Sequence, residues 1–180
     1  PEQGIVHVMS PELAIVLPGA TLICPDSHTC SQGALGALAW GIGTTEAEHA
    51  LASSTLRLRH PPAMRVTVDG KLAPGVTAKD LALALLRRFG VGGGSGHVVE
   101  YAGRAVRDLE IEGRLTLCNM GTEFAAFTAI VAPDEKTLDH LNGRRFAPRG
   151  GDWDRAAQDW LALASDDGAE YDKEFYFDAR

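Results

Sequence analysis

The sequence predicts an α/β fold, in which strands and helices alternate along one chain. Three observations indicate this class. Met64–Val68 alternates between apolar and polar residues as a strand does, Thr77-Ala78-Lys79-Asp80 has the pattern that begins a helix, and His97–Tyr101 has the composition of a further strand. The chain has 180 residues, of which 45% are hydrophobic and 23% charged. This composition is that of a globular protein long enough to bury one sizeable core, so one domain is expected.

The first 24 residues contain three short apolar runs that are separated by proline and glycine. These runs are Ile5–Met9, Ala14–Leu17 and Thr21–Cys24. Short runs bounded in this way predict strands joined by turns, although the middle run also fits a short helix.

Helical patterns follow in the next part of the chain. Small and apolar residues dominate from Gly33 to Ser53, and Thr45-Glu46-Ala47-Glu48 predicts a capping box that opens a helix through residue 52. After the strand at 64–68, Asp69-Gly70 predicts a turn into a second short strand. The helix capped by Thr77 is expected to end near Gly90 and to pack inward through Leu81, Leu83, Leu85 and Leu86.

The second half of the chain predicts two more helices and a last strand. Leu115–Val131 is a long, largely apolar segment that predicts one helix ending before Pro133. Asp152 is expected to cap a final helix, and Tyr171–Asp178 is a candidate strand of the next part of a longer fold. The apolar face of the final helix is formed by Trp153, Ala156, Ala157, Trp160, Leu161 and Ala164. Weak linkers are predicted only at 147–151 and 165–169.

Charge and composition exclude several classes of partner. The chain has 17 basic and 24 acidic residues, a net charge of -7, and no basic run longer than Arg144-Arg145. This balance argues against binding to nucleic acid or to an anionic membrane. No segment approaches the roughly 20 apolar residues of a membrane helix, and no basic leader is recognisable. Three cysteines are too few and too irregularly spaced for a disulfide framework, so a cytoplasmic location is expected.

The most informative polar residues lie directly after the apolar run at 21–24. Asp26, Ser27 and His28 place an acid, a hydroxyl and an imidazole together where a strand is expected to end. Such loops often carry function, but a capping residue followed by an exposed histidine explains the same pattern. A second polar cluster favours the functional interpretation. Asn119 and Glu123, at i and i+4 of the helix predicted over 115–131, would share one face of it.

A carboxylate inside an apolar segment needs a partner, because burying it unpaired is costly. The sequence offers His28 as the partner of Glu123 and His7 as the partner of Asp26. A carboxylate held against an imidazole favours the protonated ring. His28 is therefore expected to be able to donate a proton, and His7 to orient Asp26.

Two other features have simpler explanations. The glycine-rich segment 90–96 follows a predicted helix and precedes a predicted strand, which is the reverse of a dinucleotide fingerprint, and no Gly-Lys-Ser/Thr follows it. A helix-to-strand connection is expected there. No two of the three cysteines, Cys24, Cys30 and Cys118, have the Cys-x-x-Cys spacing. Each is therefore expected to be a small buried apolar residue rather than a metal ligand.

Five ordered segments of this chain resemble the aconitase superfamily, and within it the isopropylmalate dehydratase family most closely. These segments are Leu22–Thr29, Gly33–Thr44, Gly96–Tyr101, Leu117–Met120 and Ala132–Glu135. The resemblance covers nearly the whole chain. It implies that residues 1–180 form part of an aconitase-like α/β/α layered domain and are a fragment of a larger multi-domain subunit.

The resemblance also implies a function and a set of site residues. Members of the superfamily are iron-sulfur hydro-lyases that remove water from a hydroxy-acid and add it back at the neighbouring carbon. Asp26, Ser27 and His28 match the loop that contacts substrate, and Asn119 matches the asparagine beside the cluster. His7 and Glu123 match the partners of Asp26 and His28. His7, Asp26, His28 and Glu123 are thus the expected catalytic residues.

Several further expectations follow from the same resemblance. The full-length proteins carry a [4Fe-4S] cluster on three cysteines, and those cysteine motifs are not found in this chain. The isolated chain is therefore expected to hold no cluster and to be inactive. The partners implied are a small swivel-domain subunit and a small hydroxy-acid substrate. The implied reaction isomerises 2-isopropylmalate to 3-isopropylmalate in leucine biosynthesis.

Two alternatives to this function stay open. Because of Pro25, the chain could belong to a related hydratase for homoaconitate, citraconate or a methyl-substituted malate. The alternative of a different functional class is a non-catalytic binding or assembly domain.

Overall fold

The computed structural model describes residues 4–180 and confirms the α/β class. None of the helices in this range is both long enough and apolar enough to cross a bilayer. The helices are α1 (Val6–Leu13), α2 (Thr44–Ser53), α3 (Ala78–Phe89), α4 (Arg104–Asp108), α5 (Ile111–Asn119), α6 (Glu135–Leu141) and α7 (Gly151–Leu161), with a 3-10 helix over Thr29–Leu35. The strands are β1 (Thr21–Cys24), β2 (Leu38–Gly41), β3 (Ala63–Asp69), β4 (Val98–Ala102), β5 (Thr128–Ile130) and β6 (Lys173–Asp178).

All the strand pairs are parallel. β1 and β2 form a two-stranded sheet, and the other strands form a four-stranded sheet in the order β5-β4-β3-β6. In the middle of the larger sheet, Val66 lies opposite Tyr101 on one side and Phe175 on the other. The hydroxyl of Thr128 on β5 donates to the carbonyl of Ala39 on β2, which joins the two sheets.

The main core lies between one face of the larger sheet and two helices. Alternate residues of β3 and β4 point to this face and are fully or almost fully buried, as are the inward residues of α3 and α5. The buried strand residues are Met64, Val66, Val68, Val99 and Tyr101, and the helix residues are Leu81, Ala82, Leu85, Leu117 and Cys118. A second core holds Leu35, Leu138, Leu141 and Trp160, with Trp153 packed edge-on to Trp160 at 5.6 Å. The apolar face predicted for α7 covers this second core, except that Ala164 lies beyond the helix and is exposed.

The strand predicted over Ile5–Met9 is wrong, because these residues enter helix α1. An apolar run of five residues fits a strand and one face of a helix equally well. Ala14, with φ of 55°, ends the helix, and its N–H bonds to the carbonyl of Ser10. The run from Ala14 to Leu17 is a connection, whereas the strand predicted at Thr21–Cys24 is confirmed as β1.

The prediction for residues 33–44 was also wrong, since the helical pattern corresponds to the end of the 3-10 helix and to strand β2. Helix α2 is confirmed, but its N-cap is Gly43, whose N–H donates to Glu46 Oε2 at 2.9 Å. Helix α7 similarly begins after Gly150 rather than at Asp152. In both helices the acidic residue lies in the first turn, where it favours the helix without being the cap.

No hairpin strand follows Asp69-Gly70 in the structure. The chain turns there toward α3, and β3 pairs in parallel with β4 and β6 instead. The Asp69 carboxylate accepts the N–H of Arg104 at 2.9 Å. Helix α3 is confirmed with Thr77 as its cap, but Leu83 is 48% exposed and does not pack inward.

The long helix predicted over Leu115–Val131 is the largest error. Helix α5 ends at Asn119, residues 120–125 form consecutive turns, and β5 begins at Thr128. Apolar composition alone does not distinguish a buried helix from a turn and a buried strand of a parallel sheet. The correction matters because both residues of the second polar cluster lie at this chain reversal.

The glycine-rich segment 90–96 connects α3 to β4, in agreement with the prediction. Its glycines permit close packing as well as a turn. A Cβ added to Gly93 would lie 2.3 Å from the ring of Phe124, and the N–H of Gly94 donates to the carbonyl of Phe124 at 3.0 Å. The segment therefore packs against the turn that follows α5.

The last predicted strand is confirmed as β6, and it completes the same four-stranded sheet rather than another part of the fold. The preceding connection is anchored to β4. Glu100 on β4 accepts from the hydroxyls of Ser165 at 2.7 Å and Tyr171 at 2.6 Å. The segment 165–169, expected as a weak linker, thus runs between two anchored residues.

An ion pair of a buried arginine joins α5 to the segment that leads into α6. Arg114 is fully buried, and its Nη1 and Nη2 donate to the two carboxylate oxygens of Asp134 at 2.8 and 2.6 Å. Its Nε and the second N–H of Nη2 donate to the carbonyls of Leu109 and Arg107. Asp134 also caps α6 by accepting from the N–H of Thr137 at 3.2 Å. Burial raises the pKa of Asp134, but the hydrogen bonds and charge of Arg114 outweigh burial and hold the pKa below its usual 3.8.

Asp134→Asn is expected to lower the free energy of unfolding by about 3 kcal/mol, because Arg114 would remain buried without a counter-charge. Asparagine is as good an N-cap as aspartate, so the loss reports on the ion pair rather than on the start of α6. The measurement is the urea dependence of unfolding at neutral pH.

The matched control is Asp152→Asn, which removes an exposed pair with Arg155 at 2.6 Å and should change stability by less than about 1 kcal/mol. The stabilisation by Asp134 is present above the unfolded pKa of an aspartate and is lost as pH falls through the lower folded value. The asparagine variant should therefore lose less stability than the wild type on acidification. Equal losses in the two variants at neutral pH would contradict the role of the pair.

Candidate active site

The loop after β1 is held in one conformation by hydrogen bonds within it. The N–H of Asp26 donates to the carbonyl of Cys24 at 2.8 Å, and the N–H of His28 donates to Asp26 Oδ1 at 2.8 Å. The hydroxyl of Thr29 donates to the Asp26 carbonyl at 2.6 Å, where the 3-10 helix begins. An aspartate that accepts the N–H two residues later is typical of an Asx turn. The turn presents Asp26, Ser27 and His28 at the carboxyl end of the strand.

The first histidine–carboxylate pair joins this loop to α1. His7 Nε2 lies 3.1 Å from Asp26 Oδ1, and His7 Nδ1 lies 2.9 Å from the hydroxyl oxygen of Ser31. Helix α1 thus supplies the imidazole, the loop after β1 supplies the carboxylate, and the 3-10 helix supplies the hydroxyl. The structure brings together the two residues that the sequence offered as partners.

The second pair joins the same loop to the turn after α5. His28 Nε2 lies 3.2 Å from Glu123 Oε1, and His28 Nδ1 lies 2.9 Å from the hydroxyl of Ser27. Glu123 lies in the turn and not on a helix, so the i and i+4 argument that linked it to Asn119 was wrong. The two residues are nevertheless close, because the chain reverses directly after Asn119. Each histidine therefore has a hydroxyl on Nδ1 and a carboxylate on Nε2.

Thr122 is a structural link that sequence reasoning missed. Its hydroxyl donates to the carbonyl of Ser27 at 2.8 Å and lies 3.3 Å from the sulfur of Cys30. The thiol of Cys30 also donates to the carbonyl of Cys118 at 3.2 Å. These contacts hold the loop after β1 against the turn after α5. A hydroxyl within a segment taken for a helix gives no local signal of such a role, and the same is true of Ser31.

Asn119 is the last residue of α5 and is half-buried beside this link. Its carbonyl oxygen accepts from the N–H of Thr122 at 3.4 Å and from the thiol of Cys30 at 3.7 Å. These contacts are made by the backbone. The contacts named here, which hold the two loops together, do not involve the amide side chain of Asn119.

The carboxylate of Asp26 is kept ionised by its surroundings. The hydrogen bond from the backbone N–H of His28 is the largest cause that lowers the pKa of Asp26 below its usual value. Burial opposes it, and the hydrogen bond and charge of His7 reinforce it. The carboxylate groups of both pairs remain accessible, with side-chain exposures of 43% for Asp26 and 53% for Glu123. The site therefore presents a charged hydrogen-bond acceptor and two imidazoles to a molecule in solution.

The cysteines of the chain do not fit an iron-sulfur cluster. Cys30 and Cys118 are buried, and burial raises the pKa of both thiols, whereas a metal ligand must be a thiolate. Cys24 is half-buried at the end of β1. Within residues 4–180, no group of three or more histidine, cysteine or acidic side chains is arranged to hold a metal ion.

Two imidazole–carboxylate pairs thus meet at the loop that follows β1, one reaching it from helix α1 and the other from the turn after α5, and both are groups able to accept or donate protons. The model of the aconitase family, described as aconitate hydratase, matches residues 1–180, and the chain belongs to this family. The chain is similar to a protein of Anaeromyxobacter dehalogenans (strain 2CP-1 / ATCC BAA-258) that is named 3-isopropylmalate dehydratase large subunit, with 55% identity over 177 residues. That match covers 98% of this chain and 37% of the relative, so the chain spans little more than a third of its length.

Thr122→Val is expected to loosen the site without unfolding the protein. The isosteric change removes one hydrogen bond to the Ser27 carbonyl, which is worth about 1 kcal/mol, and should free the loop after β1 from the turn after α5. Hydrogen exchange of the backbone amides at 26–30, measured by mass spectrometry, should become faster.

Thr122→Ser keeps the hydroxyl and should restore slow exchange. Thr116→Val is the control of the same chemistry, since among residues 4–180 the Thr116 hydroxyl bonds within its own helix, to the carbonyl of Glu112 at 2.9 Å. If the control variant accelerates exchange at 26–30 as much as Thr122→Val does, the link is not what holds the loop.

Proposed function

We propose that this chain forms one wall of the active site in the large subunit of a hydro-lyase. The proposed reaction isomerises 2-isopropylmalate to 3-isopropylmalate by dehydration and rehydration, a step of leucine biosynthesis. The observation that carries the proposal is the meeting of two histidine–carboxylate pairs at the loop after β1, with contacts of 3.1 and 3.2 Å. The identity of 55% to a large subunit with this name supports the choice of substrate.

We propose a separate role in substrate binding or proton transfer for each residue of the two pairs and for Ser27. We assign to His28 the role of holding a proton at the site and giving it to the departing hydroxyl, with Glu123 compensating the charge of the ring. Asp26 is ionised and accessible, so it serves as an acceptor for a substrate hydroxyl or a proton. Ser27, whose exposed hydroxyl lies 2.9 Å from His28 Nδ1, is assigned to substrate contact, and His7 orients Asp26. Because each pair is coupled, its protonation belongs to the pair rather than to one residue.

The [4Fe-4S] cluster expected of the family is assigned to cysteines outside these 180 residues. The protonated, buried state of Cys30 and Cys118 supports this assignment, and no step of the chemistry above is drawn through the cluster. When bound, a cluster with an open iron would supply a Lewis acid for the substrate hydroxyl and carboxylate. Asn119 is assigned to the side of the site that such a cluster would face.

The complete enzyme is proposed to contain two kinds of subunit and to work in the cytoplasm. The relative's name, which specifies a large subunit, supports a small swivel-domain subunit as the partner. Three free cysteines within the described residues suit a reducing compartment. Neither nucleic acid nor a membrane is proposed as a partner, in keeping with the net charge of -7.

His28→Ala in the full-length enzyme is expected to reduce turnover of 2-isopropylmalate by about 10²- to 10⁴-fold, since positioned acid–base groups contribute that much. Glu123→Gln should also reduce turnover, because it leaves the ring without its counter-charge. The measurement is the steady-state rate with the small subunit present and the cluster intact.

His49→Ala, at an exposed position of α2, is the control and should keep wild-type turnover. Near-normal turnover by His28→Ala would refute the role of this histidine. Preferential turnover of homoaconitate, citraconate or a methyl-substituted malate would leave the proposed roles of the site residues unchanged. It would replace 2-isopropylmalate as the proposed substrate.

Anaerobic reconstitution with iron and sulfide is expected to leave the isolated 180-residue chain without a stoichiometric cluster, because it lacks a suitable set of thiolates. The full-length subunit should acquire four irons per chain under the same conditions, as is usual for a [4Fe-4S] protein. Iron and sulfide analysis together with the visible absorption spectrum makes the comparison. A stoichiometric [4Fe-4S] signal on the short chain would disprove the assignment of the ligands to other parts of the protein.

A further inference from the structure

The hydroxyl of Ser31 lies in a short chain of hydrogen bonds behind His7. Its oxygen is 2.9 Å from His7 Nδ1 and 3.3 Å from the side-chain nitrogen of Gln32. Ser31 is 2% exposed and Gln32 is fully buried, so water does not compete for these bonds. The direction of each bond is therefore decided by the groups themselves.

The orientation of the Gln32 amide follows from its other neighbour. Gln32 Nε2 lies 3.2 Å from the carbonyl oxygen of Val6. A carbonyl oxygen only accepts, so the amide atom facing it must be the nitrogen, which donates. A flipped amide would place two acceptors against each other in a buried setting. The second N–H of the same nitrogen is then available to the Ser31 oxygen.

The donor-to-acceptor direction of these hydrogen bonds continues from Gln32 through Ser31 to the imidazole of His7. Because the oxygen of Ser31 accepts from Gln32, its own proton is available for His7 Nδ1, the remaining partner of that hydroxyl among residues 4–180. In a neutral imidazole one nitrogen accepts and the other carries the proton. If Nδ1 accepts from Ser31, the proton resides on Nε2, which is the nitrogen that faces Asp26 Oδ1 at 3.1 Å.

We infer that Ser31 and Gln32 are positioning residues that fix neutral His7 as the tautomer protonated on Nε2. Through this chain, the amide of Gln32 directs the Ser31 proton to His7, and His7 directs its own proton to Asp26. The inference deepens the proposed function, on which it rests for its effect on turnover. In this arrangement, His7 is a fixed hydrogen-bond donor that holds the Asp26 carboxylate. It is not a group that exchanges protons with substrate.

The second histidine lacks such a constraint. The hydroxyl of Ser27 that faces His28 Nδ1 at 2.9 Å is exposed, and its described hydrogen bonds include no second donor that would set its direction. Ser27 is therefore free to donate or to accept as the ring of His28 changes its protonation. The two pairs have the same composition, but one is locked by buried groups and the other is open to solvent. This difference suits an orienting role for His7 and a proton-transfer role for His28.

The tautomer can be measured directly in the full-length protein. Selective labelling with ¹⁵N-histidine, at an alkaline pH where the ring is neutral, distinguishes protonated from unprotonated ring nitrogens by NMR. The His7 signals are assigned by their loss in His7→Asn. The expected wild-type result is a protonated Nε2 and an unprotonated Nδ1 for His7. A protonated Nδ1 in the wild type would overturn the inference, whatever the activity of the enzyme.

Substitutions then test the source of the constraint. Gln32→Glu replaces the donor by an acceptor, so the Ser31 proton should turn toward residue 32 and the His7 proton should move to Nδ1. Ser31→Ala should give a mixture of tautomers, and Ser31→Thr should restore the wild-type signals. An unchanged, pure Nε2 tautomer in both Ser31→Ala and Gln32→Glu would show that Asp26 alone sets it and would refute the inference.

Kinetics separate this inference from the proposed function. With the small subunit present, Ser31→Ala should lower kcat by about 10- to 100-fold, the range that applies when the hydrogen-bond partner of a metal-binding histidine is removed, and Ser31→Thr should restore it. Ser53→Ala, at the exposed end of α2, is the control and should leave kcat unchanged. The tautomer measurement needs no turnover, so an inactive protein with the expected signals would reject the proposed function alone. An active enzyme whose kcat does not respond to Ser31→Ala would reject the positioning role alone.

Discussion

The site depends on one steric constraint, the close contact of the 3-10 helix and of the turn after α5 with the same residue of β5. A Cβ added to Gly33 in the 3-10 helix would lie 1.8 Å from the carbonyl oxygen of Ala129, and one added to Gly121 would lie 2.7 Å from the Ala129 side chain. The carbonyl of Gly33 also accepts the N–H of Val131 at 3.0 Å. Because the 3-10 helix and the turn both approach the strand this closely, the loop after β1, which leads into that helix, meets the turn after α5. The histidine–carboxylate contact between His28 and Glu123 is a consequence of that meeting.

Around this contact the site combines rigid and adaptable parts. The Asx turn, the hydroxyl of Thr122 and the buried chain behind His7 have their directions set by groups that cannot reorient. The side chains of His28 and Glu123 are more accessible, at 33% and 53%, than those of His7 and Asp26. The proposed addition and removal of water on one substrate needs both a fixed electrostatic frame and a group whose proton can move. The distribution of burial in this site provides that separation.

The sequence predicted the parts of this arrangement that depend on local pattern. Helix α3, strands β3 and β4, and the pairing of His7 with Asp26 follow from capping boxes, alternation and the need of a carboxylate for a partner. The chain reversal after Asn119 was missed, because Gly121 permits it through a close approach to Ala129 of β5 that forms only in the folded chain. Ser31 and Thr122 were missed for the same reason. A hydroxyl acquires its role from the groups that the tertiary fold brings to it, and composition does not reveal them.

Strand β6 completes the larger sheet beside β3. It pairs with β3 along six residues, and Asp172, just before it, accepts the N–H of Ala63, which lies 109 positions earlier. Before β6 docks, β3 is an edge strand whose N–H and C=O groups on that side are unpaired. The apolar side chains Phe175 and Phe177, which pack against the core, do not cover it until then. An undocked β6 therefore leaves an edge that is prone to association, and the docking of this strand removes that edge.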